Sequence, residues 1–186
     1  MNRRARTGRI VFFGLRFALA APLCLAAWWF IMPYYVLALG QLCKPFINAS
    51  GNVGVHAVEV KRAGALDTQT SLCFVTGNGT RRIAIGQLVT NIAPFAALIL
   101  ATKGLGLSRR LGLFLAGFAV LAGAHAAFLV LVFKLANTGG AGAALPTALG
   151  QLVITLPFLL WLVLCWWAGA VPLPRNTTKK CDSASS

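Results

Sequence analysis

Cysteine and histidine are the side chains through which this chain could do chemistry near neutral pH, and each stands apart from the partners that chemistry needs. A cysteine nucleophile requires a base and an anion-stabilising donor in one pocket. Cys73 with His56 and Arg81 or Arg82 is the one set that falls on a single side of the chain's apolar segments, and it occupies a short stretch of extended character. The five cysteines, Cys24, Cys43, Cys73, Cys165 and Cys181, contain no CxxC pair and no Cys/His metal spacing, so no metal and no cofactor is expected. Cys24 and Cys165 read as small packing residues. Cys43 and Cys73 share one side, which leaves a disulfide between them open. Glu59 and Asp67, the two acids ahead of the C-terminal tail, neighbour Lys61 and Arg62, a pattern of surface ion pairing rather than of paired hydrolytic carboxylates. No catalytic residue is assigned.

His125 is the only ionisable side chain inside a long apolar stretch, flanked by Ala122, Gly123, Ala124, Ala126 and Ala127. An ionisable group at membrane depth is a functional hypothesis by default, as a proton relay or ligand contact. No acid lies in any apolar stretch, so the favoured reading is an imidazole hydrogen-bonded to a neighbouring helix. Asn91 and Gln87 read the same way, as bonds between helices.

The elements that hold these residues are set by where charge is missing. Charge is absent from Phe17 to Cys43, Ile83 to Thr102, Leu111 to Phe133 and through most of Leu135 to Pro174. Each stretch matches or exceeds the ~20 apolar residues that cross a ~30 Å hydrocarbon layer. With 58% apolar residues in 186 and a mean hydropathy of +0.77, the chain lies outside the ~45–50% apolar range of soluble domains. A net charge of +14 would point to nucleic acid in a soluble protein. Here the basic residues flank apolar spans, which fits topology signals and anionic lipid headgroups, and no nucleic-acid partner is expected.

The resulting expectation is an all-α four-helix membrane bundle with a small extracytoplasmic β meander. A basic N-terminus, 1–13, leads into an uncleaved span 1 over 14–43, in which Pro33 kinks the helix or ends its embedded part. Residues 44–82 form the β segment: Val53 to Val60 alternate, Arg62 to Asp67 read as a turn, Thr68 to Thr76 as a second strand, and Gly77-Asn78-Gly79 as a turn before Arg81 to Ile85. Too small to fold alone, the meander must rest on helix ends, membrane or a partner. Span 2 covers 83–102, a basic loop 103–110, span 3 111–133, a Gly-rich loop 134–147, span 4 148–171, and a polar tail 172–186. The small residues of span 3, Gly117 and Gly123 among them, mark it as the expected centre of the bundle. The sequons at Asn48, Asn78 and Asn176 read as incidental in a composition of bacterial type.

Orientation follows from counting Lys and Arg. Five lie before or at the start of span 1, Arg3 to Arg16, three in the 103–110 loop and three in the tail, against six on the other side. The excess places both termini in the cytoplasm and the β segment outside.

Arg81-Arg82-Ile83 leading into Gln87-Leu88-Val89-Thr90-Asn91-Ile92-Ala93-Pro94 and on to Thr102 resembles the strand-to-span junction of small bacterial inner-membrane proteins that accompany exosortases. The resemblance covers about a third of the chain. It implies a non-enzymatic accessory subunit beside a membrane-embedded processing enzyme, with membrane lipids and a protein, an exosortase, as partners. The alternatives are a claudin-like structural tetraspan protein, disfavoured by an outer loop with Cys73 alone and no Trp, and a small transporter or channel subunit, disfavoured by uncharged spans and the lack of repeated halves.

Overall fold

The computed structural model describes residues 3–49, 54–61, 70–77, 79–135 and 144–167. The 62–67 turn, the Asn78 and Asn176 sequons, most of the 134–147 loop, Cys181 and the 172–186 tail lie outside them. The elements in chain order are α1 (Arg3–Ala49), β1 (Val55–Lys61), β2 (Ser71–Thr76), β3 (Gly79–Ala84), α2 (Gly86–Val89), α3 (Ile92–Ala101), α4 (Leu107–Leu135) and α5 (Ala144–Trp167). Three helical stretches, Val11–Ala49, Leu107–Leu135 and Leu149–Trp167, are long and apolar enough to cross a membrane. Their outer faces carry Leu19, Leu23, Phe30, Leu115, Val120, Leu159 and Leu162, all exposed. Apolar surface on this scale suits hydrocarbon as its solvent.

α1 is one helix of 47 residues, about 70 Å at ~1.5 Å per residue, more than twice a ~30 Å hydrocarbon layer. It runs through Pro22, Pro33 and Pro45 without ending, and it extends past the expected boundary at residue 43 to Ala49. Each proline removes one main-chain bond, a loss that packing against neighbouring elements offsets. Its buried face is Trp28, Met32, Val36, Leu39, Cys43 and Ile47, steps of three or four that keep one side inward.

Span 2 departs most from expectation. The chain is still strand at Ala84, and the apolar segment Gly86–Ala101 is helical in two pieces separated at Thr90 and Asn91. Pro94 is the cause. It has no N–H to give the Thr90 carbonyl, which instead accepts from Ala93 N at 3.1 Å, while the Thr90 hydroxyl turns back onto Gly86 O at 2.7 Å. Within α3, seven of ten residues are buried, Ile92, Ala93, Phe95, Ala97, Leu98, Ile99 and Ala101. Within α4, six of 29 are: Leu113, Gly117, Leu121, His125, Leu129 and Phe133, every fourth residue. The centre of the bundle is therefore α3, not span 3, and α1, α4 and α5 surround it.

α1 and α4 run the same way. Lys103, just ahead of α4, lies over the Phe12 ring, Phe118 packs on Tyr35, and Ala126 O faces Cys43. The α2–α3 segment accordingly carries the chain from the sheet end back to the basic end. Gly104, at φ +88°, makes the turn that reverses it there, a conformation that disfavours side chains with a Cβ.

The three strands form an antiparallel meander in the order β1-β2-β3. Thr76 pairs with Gly79, and Gly79, at φ +130°, supplies the left-handed backbone of the tight turn. Simple alternation in β1 would set Val55 and Val58 on opposite faces, yet both are buried, because a bulge between Val55 and Ala57 shifts the register. The inward face rests on the helices. A Cβ on Gly40 of α1 would come within 2.6 Å of Val58 and 3.0 Å of Leu72, so α1 and the sheet touch through a missing side chain. Phe74 meets Phe133 of α4 edge-on at 5.4 Å.

Candidate functional site

Most hydrogen-bonding side chains inside the bundle join one helix to another, and they collect at three levels. Nearest the sheet is His125, fully buried, whose Nδ1 lies 2.8 Å from the Tyr35 hydroxyl. With the hydroxyl donating to Nδ1, the ring proton belongs on Nε2, which faces the Leu88 backbone of α2. Trp28 and Phe118 pack on Tyr35 at ring separations of 5.2 and 5.6 Å and leave it half-buried. His125 thus reaches α1, as a bond between helices requires. Tyr35 was hidden in a Trp/Tyr cluster whose composition reads as interfacial, and only the fold pairs it with a residue ninety positions away.

At the middle level Asn91, 5% exposed, donates from Nδ2 to the carbonyl of Val153 in α5 at 2.8 Å, while its Oδ1 is buried without a hydrogen-bond partner among the described residues. Gln87, one turn earlier, is exposed and makes no hydrogen bond to a described residue. At the basic end the Thr102 hydroxyl donates to Leu98 O at 2.8 Å and accepts from Trp161 Nε1 at 3.0 Å, with Cys165 Sγ at 3.8 Å. Arg110 donates to Thr102 O at 2.8 Å. Thr102 therefore ties α3 to both α4 and α5. Its type gave no signal in the sequence, because threonine is unremarkable at the end of an apolar run. Around it Arg16 and Lys103 flank Phe12 at 4.4 and 5.8 Å from the ring centroid, a cation–π arrangement at the helix end.

The two packing glycines separate. A Cβ on Gly117 would run into the Phe95 ring of α3, so this glycine is the seat of the central helix. Gly123 is exposed and a Cβ there would meet nothing within 4 Å, so its expected place at a helix contact is corrected: it lies on the outer face, two positions from the buried His125.

The sheet end brings no nucleophilic set together. Cys73 is buried in β2 between Glu59 and Arg82 across the sheet, whereas His56 lies near Gly77 and Arg81 turns away to donate to Phe133 O at 3.4 Å. That Arg81 contact places a cation on the last turn of α4, where free carbonyls and the helix dipole favour it. Cys43 and Cys73 are both free thiols, and Cys43 Sγ faces Ala126 O at 3.7 Å. The Asn48 carboxamide spans Val55, donating to its O at 3.3 Å and accepting from its N at 2.8 Å, and Lys44 donates to His56 O at 2.8 Å. These bonds fix β1 to the last turns of α1, and the Asn48 side chain is committed to that joint rather than free as a sugar acceptor.

No family model, no curated protein and no solved structure matches the chain.

Proposed function

We propose that this chain is a non-enzymatic, four-pass accessory subunit of a bacterial inner-membrane complex, with an exosortase-type processing enzyme as the partner class. The observation that carries the reading is the burial of His125 and its bond to Tyr35. His125, midway along α4, is fully buried and faces no lipid, and its contact with Tyr35 holds α1 to α4. Proton relay and substrate binding need access that this packing withholds. The partner class rests on the resemblance of 81–102, the stretch in which β3 leads into α2.

Four passes require α2–α3 to act as the second crossing, shielded from lipid by its neighbours, as broken helices in membranes must be. Both termini are cytoplasmic and the sheet lies outside. Single cysteines at Glu59 and Lys103 of an otherwise cysteine-free chain test this, since both positions are exposed. An impermeant thiol reagent added to intact cells should label Glu59→Cys and spare Lys103→Cys. The reverse pattern would overturn the orientation.

For the function itself, purification in mild detergent and mass-spectrometric identification should recover a stoichiometric membrane partner. A lone monomer with hydrolytic or transport activity that His125→Ala abolishes would sink the accessory reading.

A further inference from the structure

Cations meet at the basic end with no acid between them. Arg16, one turn along α1 from Phe12, reaches back so that its guanidinium lies 4.4 Å from the centroid of the Phe12 ring. Lys103, from the turn between α3 and α4, brings its ammonium to 5.8 Å from the same centroid. Two positive charges from different elements therefore lie within about one Debye length, ~8–10 Å, and repel one another. Arg110 adds a third beside them, donating to the carbonyl of Thr102, the residue before Lys103. The chain supplies little to balance this charge. Among the described residues the one carboxylate is Glu59, on β1 at the sheet end, and the tail sets Asp182 against Arg175, Lys179 and Lys180.

The surroundings decide which anion fits. α5 runs toward the same end, since Val153 accepts from Asn91 while Trp161 and Cys165 lie against Thr102. Trp166 and Trp167 follow directly, exposed at 54% and 82%, and Phe12 is exposed at 47% beside the two cations. Aromatic rings and basic side chains at the ends of apolar helices mark the level of lipid headgroups. Arg16 suits that level, because its charge turns back toward the helix start while its stem stays along apolar surface, as long basic side chains do at a membrane boundary. A free anion would meet the cations alone. A phospholipid phosphate meets the same cations with its glycerol and first methylenes against the Phe12 ring, and so gains apolar contact as well.

We infer that Arg16, Lys103 and Phe12 form a binding site for the phosphate of an anionic phospholipid. The ring holds the two cations beside each other, and a phosphate that accepts from both relieves their repulsion through charge-assisted bonds. The headgroup must be net negative, because a choline headgroup would bring a further cation to the site. The site belongs to the basic end alone and does not depend on the accessory role.

The test titrates the full chain in mild detergent with phosphatidylglycerol, with phosphatidylcholine of the same acyl chains and with inorganic phosphate, and counts bound lipid by native mass spectrometry. Phosphatidylglycerol should bind more tightly than phosphatidylcholine, and inorganic phosphate at equal concentration should not displace it. Lys103→Gln, at an exposed position, should lower phosphatidylglycerol affinity about fivefold, the worth of one basic side chain near an anionic surface, and adding Arg16→Gln about fivefold again. Phe12→Leu keeps every charge and should still lower it about twofold to fivefold, by releasing the cations from the ring. Lys61→Gln removes one exposed charge at the sheet end and should change nothing. The thermal midpoint in lipid-free detergent, which Lys103→Gln leaves unaltered, separates loss of binding from loss of fold. Equal affinity for the two lipids, displacement by inorganic phosphate, or equal losses from Lys61→Gln and Lys103→Gln would each overturn the site. Full affinity in Phe12→Leu would reduce it to diffuse attraction and overturn it as well.

Discussion

α3 and α4 have opposite relations between composition and position. α4 carries the glycines and alanines that permit close approach, yet it buries only every fourth residue and turns most of its circumference outward. α3 is bulkier, with Phe95, Leu98 and Ile99 among ten residues, and it is buried on nearly every side. Small residues license a contact without creating one. What decides the centre is length: a segment broken by Pro94 and too short to cross alone must be covered by longer neighbours, because its interrupted main chain cannot meet lipid. The smallness of α4 matters at one point, Gly117, where the Phe95 ring of α3 enters the space a side chain would fill.

The sharpest way to break that comparison is to add the same side chain at two glycines of α4. Gly117→Leu must displace Phe95 or push α3 from its seat, an overpacking cost of about 3 kcal/mol. For a chain of this size that corresponds to a fall of about 6–12 °C in thermal midpoint, read by aggregation of the purified protein in mild detergent. Gly123→Leu meets open space and should stay within about 0.5 kcal/mol of the parent. Equal destabilisation by the two would show that composition, not position, governs α4 and would return the centre to it.

A second glycine sharpens the comparison at the other end of the molecule. Gly40→Leu would collide with Val58 and Leu72 and lift the sheet from α1, at a cost of about 2 kcal/mol, less than at Gly117 because the strands lie at the periphery and yield more readily. Amide hydrogen exchange is the appropriate readout. Protection should drop in β1 and β2 while α3 and α4 keep theirs, since the sheet forms a unit that opens separately from the bundle. Loss of protection throughout would mean that the sheet and the bundle form one cooperative body.

These two ends also differ in how far the sequence reveals them. The strands are local signals, alternation punctuated by Gly77 and Gly79, and they lie within a few residues of where pattern alone sets them. The bulge that turns Val55 and Val58 to one face is invisible without the pairing partner. In the bundle, the charge-free runs mark the apolar helices, but lipid is as apolar as a core, so the outward Leu115 and the inward Leu113 carry the same signal. Helical periodicity therefore fails to say which face is buried or which helix is central. His125 was legible as an oddity and Asn91 as a polar break in an apolar run. Their partners, Tyr35 and Val153, were not, because such contacts are a product of the assembled fold. Gly40 was missed for the same reason: one glycine in a long apolar helix means nothing until a strand is laid across it.

The smallest expected effect bears on whether the Tyr35–His125 contact is structural or chemical. Tyr35→Phe removes one interhelical bond and leaves the His125 Nδ1 without a described partner, and His125→Leu strands the Tyr35 hydroxyl beside apolar neighbours. Each single change should cost about 1 kcal/mol, between the modest mean value of side-chain bonds in membranes and the larger penalty of an orphaned buried group. The double variant Tyr35→Phe/His125→Leu removes both partners at once, replacing them with apolar groups of similar bulk. Such exchanges come out close to neutral, so the double variant should be as stable as either single or more so, and a double-mutant cycle on thermal midpoints measures the difference. If the pair is only a clasp between α1 and α4, partner recovery should follow stability and return in the double variant. A double variant that is stable, binds its partner and yet fails to support the complex in cells would instead give His125 a chemical role that its buried position argues against.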